Sequence, residues 1–181
     1  MENKSLIYER LDRLASFEMM HGFVSKNKSF KVSKNFPDPY KNINLSDEKL
    51  SINPYYIGYL EGYLRTITSL KLEKEKSLDP ILGSLESIEE NIKTPALREV
   101  LAYNIGKNDL KRSKNIEIAF QKYNDLTKDE KRKEEVRQVY LSLNKLAKGK
   151  TSPTFELFDV EDNLISLSDL KGKYIYIDLW A

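Results

Sequence analysis

Few side chains in this sequence are equipped for covalent or redox chemistry. There is no cysteine, and His21 is the one histidine. Thiolate nucleophiles, disulfides, cysteine metal sites and two-histidine zinc motifs are therefore excluded for the chain as it stands. The residue that stands out is Asp178, within the run Tyr174-Ile175-Tyr176-Ile177-Asp178-Leu179-Trp180. That run is β-prone and apolar on both faces apart from the one carboxylate, the pattern of a strand buried in the middle of a sheet. Burial there would raise the pKa of Asp178, because desolvation penalises its charged form. A carboxyl of raised pKa is suited to moving a proton. The other reading is an exposed Asp178, left open because the chain supplies no second layer to cover it. Trp180 reads on its own terms as an apolar anchor at the strand end.

Other candidates are weaker. His21 falls on the apolar stripe of a helix, where it reads as a packed or groove histidine, with no cysteine or second histidine to share a metal. Tyr55, Tyr56, Tyr59 and Tyr63 cluster on one helix. They read as helix core with hydroxyls reaching outward, and alternatively as a groove for a peptide or partner. Gly149-Lys150-Thr151 looks like the end of a phosphate loop, but Asn144 stands where the loop needs glycine and a helix precedes it instead of a strand. Asp159 to Leu170 carries acids at calcium-loop-like spacing, and fails where Leu164 replaces the turn glycine and Leu170 the closing glutamate. Lys128 to Arg137 holds five basic and four acidic residues, a solvated helix face with i,i+4 pairs. The tripeptides at Asn3, Asn27 and Asn44 match glycosylation sequons of a kind common by chance, and carry no assignment.

The elements that must position these residues are mostly helical. Ile7, Leu11, Leu14, Phe17, His21 and Val24 form one stripe over 5–25. Phe36-Pro37-Asp38-Pro39 interrupts it, and a short helix capped by Ser46 is expected at 46–51. Asn53-Pro54 opens a helix over 54–73 with Tyr56, Leu60, Tyr63, Ile67 and Leu70 as its stripe. Asp79-Pro80 and Thr94-Pro95 open two more. A further helix is expected over 112–125, then one from a Thr127/Glu130 capping box through Val136, Tyr140, Leu143 and Ala147 to a stop at Gly149. Short loops make this an antiparallel helical bundle or array. The low glycine and proline counts, 7 and 6, agree with it. A formal net charge of +2 provides no field to draw nucleic acid. No apolar run reaches the ~18 residues of a membrane span, and the N-terminus has no apolar segment of signal-peptide type.

At Gly149 the pattern changes. Two short strands are expected around Phe155 to Phe158 and Leu164 to Leu167, joined by a turn at Asp162-Asn163. The expected division is a helical domain over 1–148 and the start of a second domain over 149–181. The order Gly149, Ser152-Pro153, Phe155, Leu157, Asp159, then Leu167-Ser168-Asp169-Leu170-Lys171-Gly172-Lys173, then the strand to Asp178-Leu179-Trp180-Ala181 resembles the opening of the thioredoxin-like domain in TlpA/ResA-type thiol-disulfide oxidoreductases. The resemblance covers about thirty residues of the 181. Asn163 stands where that family usually has glycine, which asparagine can replace in a left-handed turn, and Leu179 replaces its usual phenylalanine. The family's Cys-x-x-Cys would follow Ala181.

The resemblance implies a mainly α chain in which the helical array precedes the first β-strands of an incomplete thioredoxin-like α/β domain. The parent protein would exchange protein disulfides in the periplasm or cell envelope, with a disulfide-bearing protein as substrate or redox partner and no cofactor. An exported parent would have lost its signal segment. Asp178 would relay the proton of the second cysteine, and Trp180 would flank the dithiol. This chain, lacking the dithiol, would be redox-silent. The reading from a different class is a non-enzymatic helical interaction module with a vestigial strand tail, its groove along the Tyr55–Tyr63 helix. The tail, with open strand edges, is expected to dock, to pair with another copy or to stay poorly ordered.

Overall fold

Three X-Pro steps set the start of three successive helices. In the computed structural model, which describes residues 2–145 and 149–178, Pro54, Pro80 and Pro95 each occupy a first helical position. Proline suits that place because its missing N–H would have had no intrahelical partner. The helices are α1 (Glu2–Val24), α2 (Pro54–Lys74), α3 (Pro80–Asn91), α4 (Pro95–Asn108), α5 (Ile116–Leu126) and α6 (Glu130–Lys145). One-turn 3-10 segments occur at Glu48–Leu50, Leu110–Arg112 and Leu167–Leu170. Strands β1 (Glu156–Phe158) and β2 (Leu164–Ser166) pair antiparallel, with Leu157 opposite Ile165. The protein is thus mainly α-helical with a small two-stranded sheet late in the chain. It divides into two compact units, Met1–Tyr140 and Leu141–Ala181.

In the first unit α2 packs on α1 and on α3, and α3 packs in turn on α4 and α5. Tyr56, Leu60 and Leu64 of α2 join Ile88 and Ile92 from α3 and its C-cap, Leu97 and Leu101 from α4, and Leu50 in one buried cluster. Burying such a side chain is worth roughly 1.5–3 kcal/mol, so this cluster is the main store of stability in the unit. A second contact is closer still. Gly106 in α4 faces Val136 and Tyr123 so tightly that a β-carbon there would lie 2.9 Å from a Val136 methyl. Glycine at this position lets α6 approach α4.

Asp79 ties distant segments together. One carboxylate oxygen caps α3, accepting from the N–H groups of Ile81 at 2.8 Å and Leu82 at 3.0 Å. The other accepts from the Ser113 hydroxyl at 2.9 Å and from the backbone N–H groups of Lys114 and Asn115. Burial works to raise its pKa, but the N–H of Leu82, the Ser113 hydroxyl and the N–H groups of Lys114 and Ile81 together hold it below the ordinary value.

Several local expectations are corrected. The stripe read along α1 is not its packed face: Ile7, Phe17, His21 and Val24 are exposed, and Tyr8 packs on the core instead. On α2 the buried positions run through Tyr56, Ile57, Leu60, Leu64 and Thr68, while Leu70 is open to solvent. Both helices carry apolar residues on several faces, so periodicity leaves the choice of face to tertiary packing. Ser46 does not cap the 3-10 turn; its hydroxyl goes back to Asn44. Leu110–Arg112 forms a separate turn, and α5 starts only at Ile116, capped by the Asn115 side chain. The start of α6 is capped by Asp129, which accepts from the Arg132 N–H at 3.1 Å, not by Thr127. The helix is described as far as Lys145, so Ala147 lies outside the described residues.

Gly106→Ala should cost about 1–3 kcal/mol through overpacking, read by urea denaturation. Combining it with Val136→Ala should cost less than the sum of the two single changes, because the cavity accepts the new methyl. Additive costs would reject the close approach. Asp79→Asn should cost roughly 1–2 kcal/mol at neutral pH. Because the folded pKa of Asp79 is depressed, its charge contributes fully above its ordinary value of 3.8 and is lost as pH falls through the lower folded value. The gap between wild type and Asp79→Asn should therefore shrink as a melting series descends below pH 4; a gap unchanged down to about pH 2 would rule the carboxylate out as the source.

Candidate functional site

The second unit builds its turn from side chain to backbone. The Asp159 carboxylate accepts from the Glu161 N–H at 2.8 Å and from the Asn163 N–H at 2.9 Å, closing the link between β1 and β2. The same bonds lower its pKa, those from Asn163 most strongly. The left-handed residue is Asp162, at φ 60°, not Asn163. After β2, the Asp169 carboxylate accepts from both the backbone N–H and the hydroxyl of Ser166, at 2.8 and 2.7 Å. Gly172, at φ 80°, turns the chain onward, a conformation that glycine adopts without strain. The Leu167 to Lys173 motif is therefore a self-capped turn.

The residues it leads into form no strand. Tyr174 to Asp178 have no partner strand among the described residues, and Tyr176 is 90% exposed. A buried central strand was expected there. Strand propensity becomes a strand only when a neighbour accepts and donates the ladder hydrogen bonds. Asp178 is exposed, in the second of the two environments its sequence allowed. Trp180, with Leu179 and Ala181, lies outside the described residues. Leu157, Phe158 and Leu164 are also solvent-exposed, so the small sheet presents open apolar surface.

The tyrosines are structural. Tyr56 and Tyr59 are almost wholly buried. The Tyr56 hydroxyl donates to the Asn44 carbonyl at 2.6 Å and accepts from the Asp47 N–H at 3.2 Å. The Tyr59 hydroxyl donates to the Pro39 carbonyl. Tyr8 lies against both rings, with centroids 4.6 and 5.6 Å away. Tyr55 is exposed and Tyr63 half-buried, so these residues do not line a shared open groove. His21 is exposed rather than packed inside, and stacks on Phe30 with ring centroids 4.1 Å apart. No group of three or more histidines and carboxylates among the described residues could hold a metal. No described helix is long and apolar enough to cross a membrane.

The concave feature that sequence reading missed is a cleft of about 780 Å³ along α2, α3 and α4. Glu61, Arg65, Ser69, Asn104 and Asn108 stand on its walls, above Leu64, Ile81, Ile88 and Leu101. Asn104 donates to Glu61 across it at 2.7 Å. The available signal was the spacing Glu61, Arg65, Ser69, a polar row at i,i+4 beside the buried positions of α2.

Burial raises the pKa of Tyr56, Tyr59 and Tyr123 to about 12. A tyrosine whose folded pKa is raised contributes stability below its unfolded value of 10.0, and loses it as pH rises toward 12. Absorbance at 295 nm should show these three hydroxyls ionising together with unfolding in that window, after the exposed tyrosines. Ionisation of all the tyrosines near pH 10, with the fold intact, would contradict their burial. Comparison with protein-family models, with curated proteins and with solved structures gave no match to this chain.

Proposed function

We propose that the chain is the helical portion and opening strands of a thiol-disulfide oxidoreductase of the TlpA/ResA kind, acting on protein disulfides in the cell envelope. The chain as it stands is redox-silent, since it holds no thiol. The observation that carries the reading is the ordered segment from Ser152-Pro153 to Lys173. Its conspicuous motif, Leu167 to Lys173, is a local turn that hands the chain into an apolar, β-prone run. The exposure of Tyr174 to Ile177 and of the β1–β2 apolar side chains supports it further, as surface that the rest of an α/β domain would cover.

The chemistry is thiolate attack on a substrate disulfide to give a mixed disulfide, which a second thiol resolves by displacing the substrate sulfur. The resolving thiol must lose its proton, and Asp178, four residues before the position where the family dithiol segment would begin, is the group to accept it. Trp180 flanks that place, and the helical unit holds or orients the substrate protein.

The test begins with the coding sequence past the Ala181 codon. Ser or Thr, then Trp-Cys-x-x-Cys, is expected to follow. The extended protein should then catalyse reduction of insulin disulfides by dithiothreitol, and Asp178→Asn should slow it about a hundredfold near neutral pH. The 181-residue chain should give only the background rate. A stop codon, an extension without paired cysteines, or an inert extended protein would each overturn the reading.

A further inference from the structure

The C-terminal end of α1 presents an apolar face that nothing among the described residues covers. Met19, Met20, Phe23 and Val24 stand at i, i+1, i+4 and i+5, on one side of its last two turns. All four are exposed, Phe23 by 80% and Val24 by 74%. The neighbouring side is closed. His21 stacks on Phe30 and Phe17 on Phe36, with ring centroids 4.1 and 5.4 Å apart. Glu18 accepts from the Lys31 ammonium at 2.7 Å and from the Val32 N–H at 3.1 Å. These contacts hold the segment after α1 against its last turns, so the lysines of that segment lie beside the apolar face.

The charge at this end is one-sided. Met19 to Pro37 holds four lysines and no aspartate or glutamate, more positive charge than the net +2 of the whole chain. Lys31 is committed to Glu18. Lys26, Lys28 and Lys34 are exposed, and their ammonium groups make no hydrogen bond or ion pair among the described residues. Lys26 marks the point where the chain leaves the helix. Its N–H meets the Phe23 carbonyl at 3.2 Å and its φ is 55°, a left-handed position that glycine fills with less strain. A lysine there sets a cation at the edge of the apolar face.

These features select among occupants. A second copy docked face to face would bring the same lysines against one another, and like charges so placed oppose association. A single-stranded nucleic acid stacks its bases on open aromatic faces, but Phe17, Phe30 and Phe36 turn theirs to one another and to His21. A protein carboxylate is best matched by the fixed fork of arginine, and Met19 to Pro37 has none. An anionic bilayer matches both features. Lysines on flexible stems suit a diffuse layer of charged headgroups. Apolar side chains beside them can enter the boundary with the acyl chains while the ammonium groups stay in water.

We propose that the C-terminal end of α1 docks on the surface of an anionic bilayer, independently of any dithiol chemistry. Met19, Met20, Phe23 and Val24 enter the boundary between headgroups and acyl chains, and Lys26, Lys28 and Lys34 lie among the headgroups. The probes are vesicles of phosphatidylcholine alone and of phosphatidylcholine with an equal part of phosphatidylglycerol, each pelleted with the 181-residue chain at low salt. The mixed vesicles should carry the chain down and the neutral ones should leave it in solution. Lys26→Gln, Lys28→Gln and Lys34→Gln together should weaken binding about a hundredfold, from the contribution of each lysine near an anionic surface. Met20→Ser with Phe23→Ser should weaken it at least about tenfold, from lost apolar burial. Every substituted side chain is exposed, so circular dichroism should stay that of the wild type. Equal pelleting with both kinds of vesicle would overturn the proposal. So would pelleting that neither set of substitutions weakens, which would move the contact to the exposed apolar residues of the second unit. Binding that needs the lysines and ignores Met20→Ser with Phe23→Ser would make this end a patch for polyanions, against the proposal. No pelleting at all would also reject it and leave the face to a protein partner.

Discussion

A phenol ring buried in a helix brings its hydroxyl inside with it, and leaving that hydroxyl without a partner costs about 1–3 kcal/mol. Tyr56 and Tyr59 impose this demand on the first unit. The carbonyls beside them in α2 are engaged in the helix's own bonds, so the demand falls on the segment between α1 and α2. That segment has no regular structure from Ser25 to Asp47, yet its path is fixed where Pro39 and Asn44 present carbonyls and Asp47 its N–H. The same segment then positions α1. Lys4 reaches the Asp47 carboxylate at 2.6 Å, and the Ser5 hydroxyl accepts from Asn53, which also caps α2. The ion pair is half exposed and contributes little alone. Its place beside the buried hydroxyls makes it a register mark for α1 and not a source of stability.

The two units rest on different economies of interaction. The first spends buried apolar surface and closes its polar groups with neighbours far away in sequence. The second is held by short-range bonds: Asp159 to the turn after it, Asp169 to the Ser166 before it. Such bonds shape a segment without burying it. Its strands are three residues each, and an isolated hairpin of that length is marginal in water.

How much of this was legible in the sequence follows the same divide. The proline-led helices and the caps Asn53, Asp79 and Asn115 rest on chemistry within three residues, and so did the hairpin turn; of these, the Asn115 cap and the later start of α5 were passed over. The packed face of α1 was not legible, because its apolar residues occur on every side and Tyr8, off the expected stripe, packs on the core cluster. Nor was the behaviour of Tyr174 to Asp178, since a strand is a property of a pair. The cleft was the least visible feature: it takes residues from three helices, and only the polar row on α2 hinted at it. The place of Asp178 opposite a dithiol stays a matter of resemblance, carried by residue order in the segment before it.

Asp79 has a consequence for the order of folding. Its two carboxylate oxygens work at different ranges: the cap bonds span two and three residues, the bonds to Ser113, Lys114 and Asn115 span 34 to 36. The near bonds can form as soon as α3 nucleates. The far ones must wait until α4 has folded back, because that loop closure has to be completed first. One side chain therefore assists an early event and locks a late one. Its far half acts chiefly on how slowly the native state opens, and its near half on how readily α3 forms.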